Sequence, residues 1–429
     1  MDAFSLQQCG GRRTVILPLA LGKVSYIPNE TTISLVTMAA RYPRLLIVSE
    51  YWLLDAGGMA VYASELVSRL ARRGFPIRLF IPETVPPRSP IAIDGVAATV
   101  FSAPNIHAWG RLSILPALLR HGGLSGIDAI VDIAASPYGG TDAILARLFG
   151  VPFFVAAHGN EVSRLYPGAG MTRTFRAYCR YAYRHARKIA ANSRFTAALF
   201  APLGIPDENI EIIPCGVDTD FFRPGAVTTD EHEALMLPPG KRYIACVAQL
   251  KAIKGQARLL QAYSQIAFDF PDYLLVLAGD GPQREAYHHQ VNALGLDDRV
   301  VFTGHLDRRR LRTLYRIADL WVLPTQNTAA ENEGFGLAAA EAMACGCPVA
   351  VADFGGPTEY VRDGETGFLF DSTDVTAIAE TLRGLLQDSD HRNSVRVAAH
   401  RLITEQYTWD RTAQLWTELL LREIPMPIQ

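Results

Sequence analysis

The sequence predicts an α/β protein made of two domains, each a doubly wound parallel sheet. Short, almost wholly apolar runs alternate with helical patterns, as buried parallel strands do with their crossover helices. The alternation runs through the chain twice, once from Pro43 and again from Arg242, without an internal repeat. Between the two series lies a Pro and Gly cluster from Pro214 to Gly240 that reads as a hinge and the entry to the second domain.

Residues 1–43 read as an irregular N-terminal extension. Arg12 and Arg13 precede TVILPLALG, but this apolar run is short and Lys23 ends it, so a signal peptide is not expected. PRLLIVSE then reads as the first buried strand, followed by a glycine loop at Gly57-Gly58 and a helix. In that helix Leu66 and Leu70 recur at helical spacing, Arg72 and Arg73 occupy the last turn, and Gly74 closes it. IRLFIP, AIVDIA (129–134), PFFVAAHG (152–159) and KIAANS (188–193) supply further strands. The second series is RYIACVAQL, YLLVLAGD, VVFTG, LWVLP, PVAVAD and GFLF, and EQYTWDRTAQLWTELLLREI (405–424) reads as one closing helix. The expected boundaries are 44–215 and 216–404, with about 405–429 as a terminal segment.

Composition sets the class more loosely. A chain of 429 residues, 49% hydrophobic and 20% charged, suffices for two full cores. The net charge of −2 gives no reason to expect nucleic acid, and no helix-turn-helix or zinc-finger spacing is present. Six cysteines, at 9, 179, 215, 246, 345 and 347, lack paired metal-ligand spacing, so reduced thiols and a cytoplasmic location are expected. No apolar run reaches the roughly 18 to 20 residues of a membrane span.

Chemistry concentrates in ENEGFGLAAAEAMACGCPVAVADFGGPTEYVRDGETGFLF, residues 331–370. Gly334, Phe335 and Gly336 allow a tight turn, and LAAAEAMA consists of strong helix formers, so a helix is expected to start there. Its first amides lack intrahelical partners and carry the positive end of the dipole, which suits a phosphate. At about 1.5 Å per residue, Glu341 lies roughly 10 Å along the axis from Glu333, the reach of a pyrophosphate joining two sugars. Glu341 is expected to grip a ribose diol and Glu333 the hydroxyls of a transferred sugar. The plain structural alternative makes Glu341 an exposed helix residue and Glu333 a dipole partner. Such a separation along one helix is poor geometry for the paired carboxylates of a glycosidase.

The spacing Glu-x7-Glu, followed by AMACGCPV and GG-x-x-E, resembles family 4 of the retaining, nucleotide-sugar-dependent glycosyltransferases. PCGVDTDFFRP (214–224), VAQLKAIKG (247–255), VLAGDGP (276–282), VFTGHL (301–306) and IADLWVLPT (317–325) resemble that family's segments in the same order. The resemblance covers roughly residues 44 to 420. It implies the GT-B fold: two Rossmann-like domains facing a cleft, an N-terminal acceptor domain at 44–215 and a nucleotide-sugar donor domain at 216–404, with the last helix crossing back onto the former. It also implies a role in processes such as polysaccharide biosynthesis.

Other candidate residues follow the same frame. Gly57 and Gly58 sit after the first strand, at the edge where open α/β sheets bind ligands, and would let the backbone approach a phosphate or sugar; an ordinary turn at positive φ is the alternative. G-x-G-x-x-G is absent, which disfavours a dinucleotide oxidoreductase. His158 follows PFFVAA and faces the same edge, and the resemblance makes it the N-domain catalytic candidate, hydrogen-bonded to the donor sugar. Glu161 is either a second cleft group or a helix-start carboxylate, the latter being favoured. Lys254 would reach the leaving diphosphate and stabilise developing charge. The resembling family usually places an arginine where this chain has Gln249, so the phosphate clamp is complete only if Lys251 substitutes.

RTFRAYCRYAYRHARK puts Arg173, Arg176, Arg180, Arg184 and Arg187 on one helical face at about 100° per residue, opposite Phe175, Tyr178, Ala182, Ala186 and Ile189. The basic side is either a solvated face or a patch for anionic lipid or an acidic lipid-linked acceptor, in which case the protein works at the inner face of the membrane.

The resulting expectation is a retaining hexosyltransferase that uses a UDP- or GDP-linked sugar and an acceptor hydroxyl on a glycan, a lipid-linked saccharide or a small molecule. No covalent nucleophile stands out, no metal or other cofactor is called for, and a front-face displacement with the leaving phosphate as base is the economical route. A nucleotide-sugar epimerase on the same fold, or a non-catalytic binding protein suggested by Gln249, are the rival readings. Base, sugar, acceptor and oligomeric state have no signature in the sequence; the acceptor is expected to meet loops such as 101–113 and 136–141.

Overall fold

A computed structural model describes residues 5–9, 12–16, 24–26, 42–49, 57–83, 97–102, 125–135, 139–168, 171–326, 328 and 331–425. Part of the expected acceptor loops, 103–113 and 136–138, lies outside them. The N-terminal extension is not irregular throughout. Strands β1 (Ser5–Cys9), β2 (Arg12–Ile16) and β3 (Val24–Tyr26) pair antiparallel, in keeping with the β-branched content of RRTVI and VSY.

The first large sheet contains β4 (Leu45–Ser49), β5 (Ile77–Glu83), β6 (Ala97–Ser102), β7 (Ala129–Ile133), β8 (Phe153–Ala157), β9 (Lys188–Ala191) and β10 (Ile210–Ile212). All are parallel, in the order β10-β9-β8-β7-β4-β5-β6. The second holds β11 (Arg242–Val247), β12 (Tyr273–Ala278), β13 (Val300–Gly304), β14 (Leu320–Leu323), β15 (Val349–Ala352) and β16 (Phe368–Phe370), parallel in the order β13-β12-β11-β14-β15-β16. Both are doubly wound, reversing direction between β4 and β7 and between β11 and β14. A ligand crevice is expected beyond the carboxyl ends of the strands at each reversal.

Parallel strands covered on both faces read as continuous apolar runs, and β4, β7, β8 and β12 are buried along their whole lengths. Strand period divides them. Leu45 and Ile47 join the core that contains Trp416, whereas Leu46 and Val48 face the opposite layer with Ala182 and Tyr183. The helix Gly58–Arg72 buries Tyr62, Leu66 and Leu70 and closes through Gly74, whose φ of 99° is left-handed. Among the described residues no helix is long and apolar enough to cross a membrane.

The terminal segment breaks where one helix was expected. Helix Arg396–Gln406 ends at Tyr407, and Thr408, accepting from the Arg411 amide, caps a new helix Trp409–Glu423. That last helix lies on the first domain: Trp416 Nε1 donates to Tyr62 Oη at 2.8 Å, Thr412 Oγ1 donates to the Pro214 carbonyl at 2.8 Å, and Asp410 pairs with Arg69 at 3.2 Å. Here the two chain crossings between domains run side by side. The Val217 amide donates to the Tyr407 carbonyl at 2.8 Å, and a Cβ on Gly216 would come within 2.2 Å of the Trp409 nitrogen. The crossing is thus much shorter than the expected hinge from Pro214 to Gly240. Beyond it Phe222 is buried against Tyr315, and Thr229–Glu233 forms a capped helix.

Candidate active site

The loops at the two reversals meet. After β14 the chain runs to Gly336, whose φ of 80° turns it into the helix Leu337–Ala344. The helix starts at the turn, as the sequence implies. Glu333 precedes the turn and lies outside the helix, so the axial separation expected between Glu333 and Glu341 does not apply: Gly336 redirects the chain. Glu333 instead meets Lys254, from the short turn Ala252–Lys254 beyond β11, with Oε2 2.5 Å from Nζ. Both side chains are largely buried.

Packing fixes this turn from behind. Tyr360 Oη donates to the carbonyls of Phe335 at 2.8 Å and Gly336 at 2.7 Å, and the Gly356 amide donates to the Glu333 carbonyl at 2.9 Å. Tyr360 thus holds the carbonyls just before the helix Leu337–Ala344, whose first amides have no partner inside the helix. Glu341, on that helix, accepts from Tyr315 Oη at 3.2 Å; burial raises its carboxyl to about 7 against that hydrogen bond. Gln249 is exposed, and its carbonyl accepts from Gln256 Nε2 at 3.0 Å and from the Lys251 amide at 2.9 Å, so Lys251 opens the turn that ends in Lys254.

From the first domain, Gly57 is extended at φ 167° and has open space around its Cα; Gly58 comes near the Leu337 side chain, at 3.9 Å from its own would-be Cβ. No positive φ explains this glycine pair. His158 follows β8 and stacks edge-on against Tyr62 at 4.4 Å between centroids. Its Nε2 is enclosed without a hydrogen-bond partner, and burial lowers the imidazole to about 4, which leaves it neutral near pH 7. Glu161 serves as a local cap, accepting from the His158 amide at 2.5 Å, but is buried rather than solvated, which raises it to about 7.

The domains touch beside these groups. A Cβ on Gly334 would lie 1.9 Å from the His158 carbonyl oxygen. The Asn332 amide donates to Asn160 Oδ1 at 2.8 Å and its Nδ2 donates to Ser163 Oγ; the Phe195 amide donates to Glu359 Oε1 at 3.1 Å; Arg164 pairs with Glu331 at 3.7 Å. Sequence reasoning missed Asn160, Ser163 and Asn332. The only signal was the position of Asn332 next to Glu333 and of Asn160 next to His158-Gly159.

Asp132 and Asp142 were also missed. Both are buried close to one another, and burial raises Asp132 to about 7 and Asp142 well above the usual range. Asp132 Oδ1 accepts from the Ala135 amide at 3.2 Å, steadying Ala134 and Ala135, both at positive φ. Among the described residues no three His, Cys, Asp or Glu side chains gather as metal ligands. The described cysteines are free and buried, with Cys215, Cys246 and Cys345 each raised by burial to about 12.

The basic helix differs from expectation. It spans Arg173–His185, because Ala186 is extended, so Arg187 falls outside it and pairs with Glu423 at 2.9 Å. Arg176 and Arg180 turn inward to the carbonyls of Tyr166 and Leu203, and Cys179, Ala182 and Tyr183 form its buried side. The five arginines therefore make no single solvated face.

Known proteins resemble this chain in sequence and fold. The family model described as glycosyl transferases group 1 matches residues 227–401, and that of a glycosyl transferase 4-like domain matches 57–216. A GDP-mannose-dependent alpha-(1-6)-phosphatidylinositol monomannoside mannosyltransferase of Mycolicibacterium smegmatis is 32% identical over 279 residues, 64% of this chain and 72% of that protein. A D-inositol 3-phosphate glycosyltransferase of Xylanimonas cellulosilytica is 29% identical over 389 residues, 84% of this chain and 90% of that protein. In fold, the chain resembles Anabaena Alr3699/HepE, solved with UDP and glucose, at TM-score 0.72 and 20% identity over 89% of this chain and 100% of that one.

Proposed function

Because the chain belongs to the family 4 glycosyltransferases of GT-B fold, we propose that it transfers a hexose from a nucleoside diphosphate sugar to an acceptor hydroxyl with retention at the anomeric carbon. The observation that carries this reading is the Lys254–Glu333 pair, placed beside the start of the helix Leu337–Ala344 and across from His158. The amides of residues 334–336 and the helix start take the diphosphate, and Gly57-Gly58 closes over it from the other side. Glu341 in its ionised form accepts from the ribose hydroxyls. When the donor arrives, Lys254 exchanges Glu333 for a phosphate oxygen, which frees Glu333 for hydroxyls of the sugar. The free ring nitrogen of neutral His158 makes one further hydrogen bond to that sugar.

In the transfer step the bond from the anomeric carbon to the phosphate oxygen breaks, and the acceptor oxygen bonds to the same face of that carbon. The leaving phosphate oxygen takes the acceptor's proton. Lys254 and the turn amides stabilise the charge that grows on the diphosphate. Contacts of Asn332 with Asn160 and Ser163 keep the cleft closed to water during the step. The names of these relatives make GDP-mannose the first donor to test and a phosphate-bearing inositol compound the first acceptor. A lipid-linked acceptor would place the work at a membrane surface.

Thermal unfolding with GDP, UDP and ADP on wild type and Glu341→Ala tests the donor site. Saturation at 100 times Kd adds about 2.7 kcal/mol, a shift of a few degrees for a chain of this size. One selective shift, lost in the variant, supports the assignment, and the anomeric configuration of the product by NMR then tests retention. No shift with any nucleotide in folded protein refutes a working donor site.

A further inference from the structure

The helix Arg173–His185, the segment before it and the turn at Pro202-Leu203 line a half-open pocket of about 550 Å³ that shares no lining residue with the cleft. Its size falls within the roughly 300–1,000 Å³ of small-molecule sites. Arg173, Arg176 and Arg180, at helical spacing on one face, line it together with Tyr166, Pro167 and Leu203, and no acidic side chain does. Two of the guanidinium groups are tied to separate walls: Arg176 Nη1 donates to the Tyr166 carbonyl at 3.3 Å, and Arg180 Nη2 to the Leu203 carbonyl at 3.1 Å. Each tether occupies one of five N–H donors. The Nε of Arg180 is enclosed without a partner. Arg173 is exposed and opens the helix, at the positive end of its dipole, next to the capping Thr172.

Three cations around one hollow, two of them tethered, repel each other until an anion fills it. We propose that this pocket binds the phosphate of an organic phosphate ester. Three guanidinium groups spaced along one helix face offer more N–H donors than the two oxygens of a planar carboxylate can use, and match the several oxygens of a tetrahedral phosphate better. The walls of Tyr166, Pro167 and Leu203 suit the organic part of the ester. A phospholipid headgroup and a soluble phosphomonoester both offer this chemistry. Binding there uses none of the residues assigned to the donor, so it stands or falls apart from the transfer reaction.

The test uses the full chain and two probes, glycerol phosphate by calorimetry and phosphatidylcholine vesicles with or without phosphatidylglycerol by co-sedimentation. The variants are Arg173→Glu, in the pocket, and Arg184→Glu, exposed on the same helix outside it. Wild type is expected to bind at least one probe, Arg173→Glu to weaken that binding by about tenfold or more, and Arg184→Glu to leave it nearly unchanged. Binding of the soluble ester alone names a free phosphomonoester as the ligand; binding of the anionic vesicles alone names a headgroup. Absence of binding to both probes, unchanged binding in Arg173→Glu, or equal loss in Arg184→Glu would overturn the site, the last in favour of diffuse surface attraction. Matching unfolding midpoints show that the variants are folded.

Discussion

Replacing Gly334 with alanine separates closure of the cleft from donor binding. The backbone at this residue is not in the left-handed region, so alanine is tolerated locally. The difficulty lies across the domain boundary, where the new Cβ would stand 1.9 Å from the His158 carbonyl oxygen and 3.2 Å from Thr196 Oγ1. An unstrained carbon–oxygen contact needs about 3.3 Å, so the two sides must part by roughly 1.4 Å. Neither side yields easily: His158 continues β8 and its carbonyl accepts from Asn192 Nδ2 at 3.4 Å, while Gly334 is backed by Gly356. The gap therefore opens between the domains, carrying His158 away from Glu333. A misplacement of about 1 Å between reacting groups costs on the order of 100-fold in rate. We expect Gly334→Ala to lower kcat by about that factor while nucleotide affinity, most of which comes from the second domain, falls far less. Steady-state transfer and calorimetric titration with the nucleotide measure the two quantities. A kcat near wild type would refute the link between this contact and the active arrangement.

Three further outcomes follow from the same geometry. Lys254→Ala removes the cation at the leaving group and should cut kcat by about 10²–10³-fold, read in single-turnover transfer where product release does not interfere. Glu341, raised to about 7, must be ionised to accept two ribose hydroxyls, so nucleotide affinity should fall as pH drops through about 7 and Glu341→Gln should flatten that profile in titrations across pH. Asp132 holds in the folded state a proton that the unfolded chain releases above its ordinary carboxylate pKa. Its contribution is full at acid pH and lost as pH rises toward about 7, so Asp132→Asn should flatten the fall in stability over that window in denaturant unfolding.

The fold was legible wherever burial made a strand uniformly apolar, as in LLIVS and YLLVLA, and wherever glycine marked a sharp turn, as at Gly336. Strand β10 escaped because it is a three-residue edge, Ile-Glu-Ile, too short for periodicity to register. Asp132 escaped for the opposite reason: it sits inside an apolar run whose strand pattern absorbs a single polar residue. Donor-side candidates are close in sequence to their glycine turn and could be named. The contacts of Asn332 with Asn160 and Ser163 join segments about 170 residues apart, which no local pattern reveals. Arg187 was assigned to a helix that Ala186 ends.

The paired crossings at Val217 and Thr408 act like the spine of a book. A single connection would allow the halves to twist as well as part, whereas two adjacent ones, with Gly216 pressed against Trp409, leave rotation about one axis as the soft motion. A rotation about that axis would return His158 to the same side of the cleft each time. Cutting the chain after Gln406 would remove one crossing and strip Trp416 from Tyr62, so a hinge motion would lose the constraint that the last helix supplies from outside the cleft.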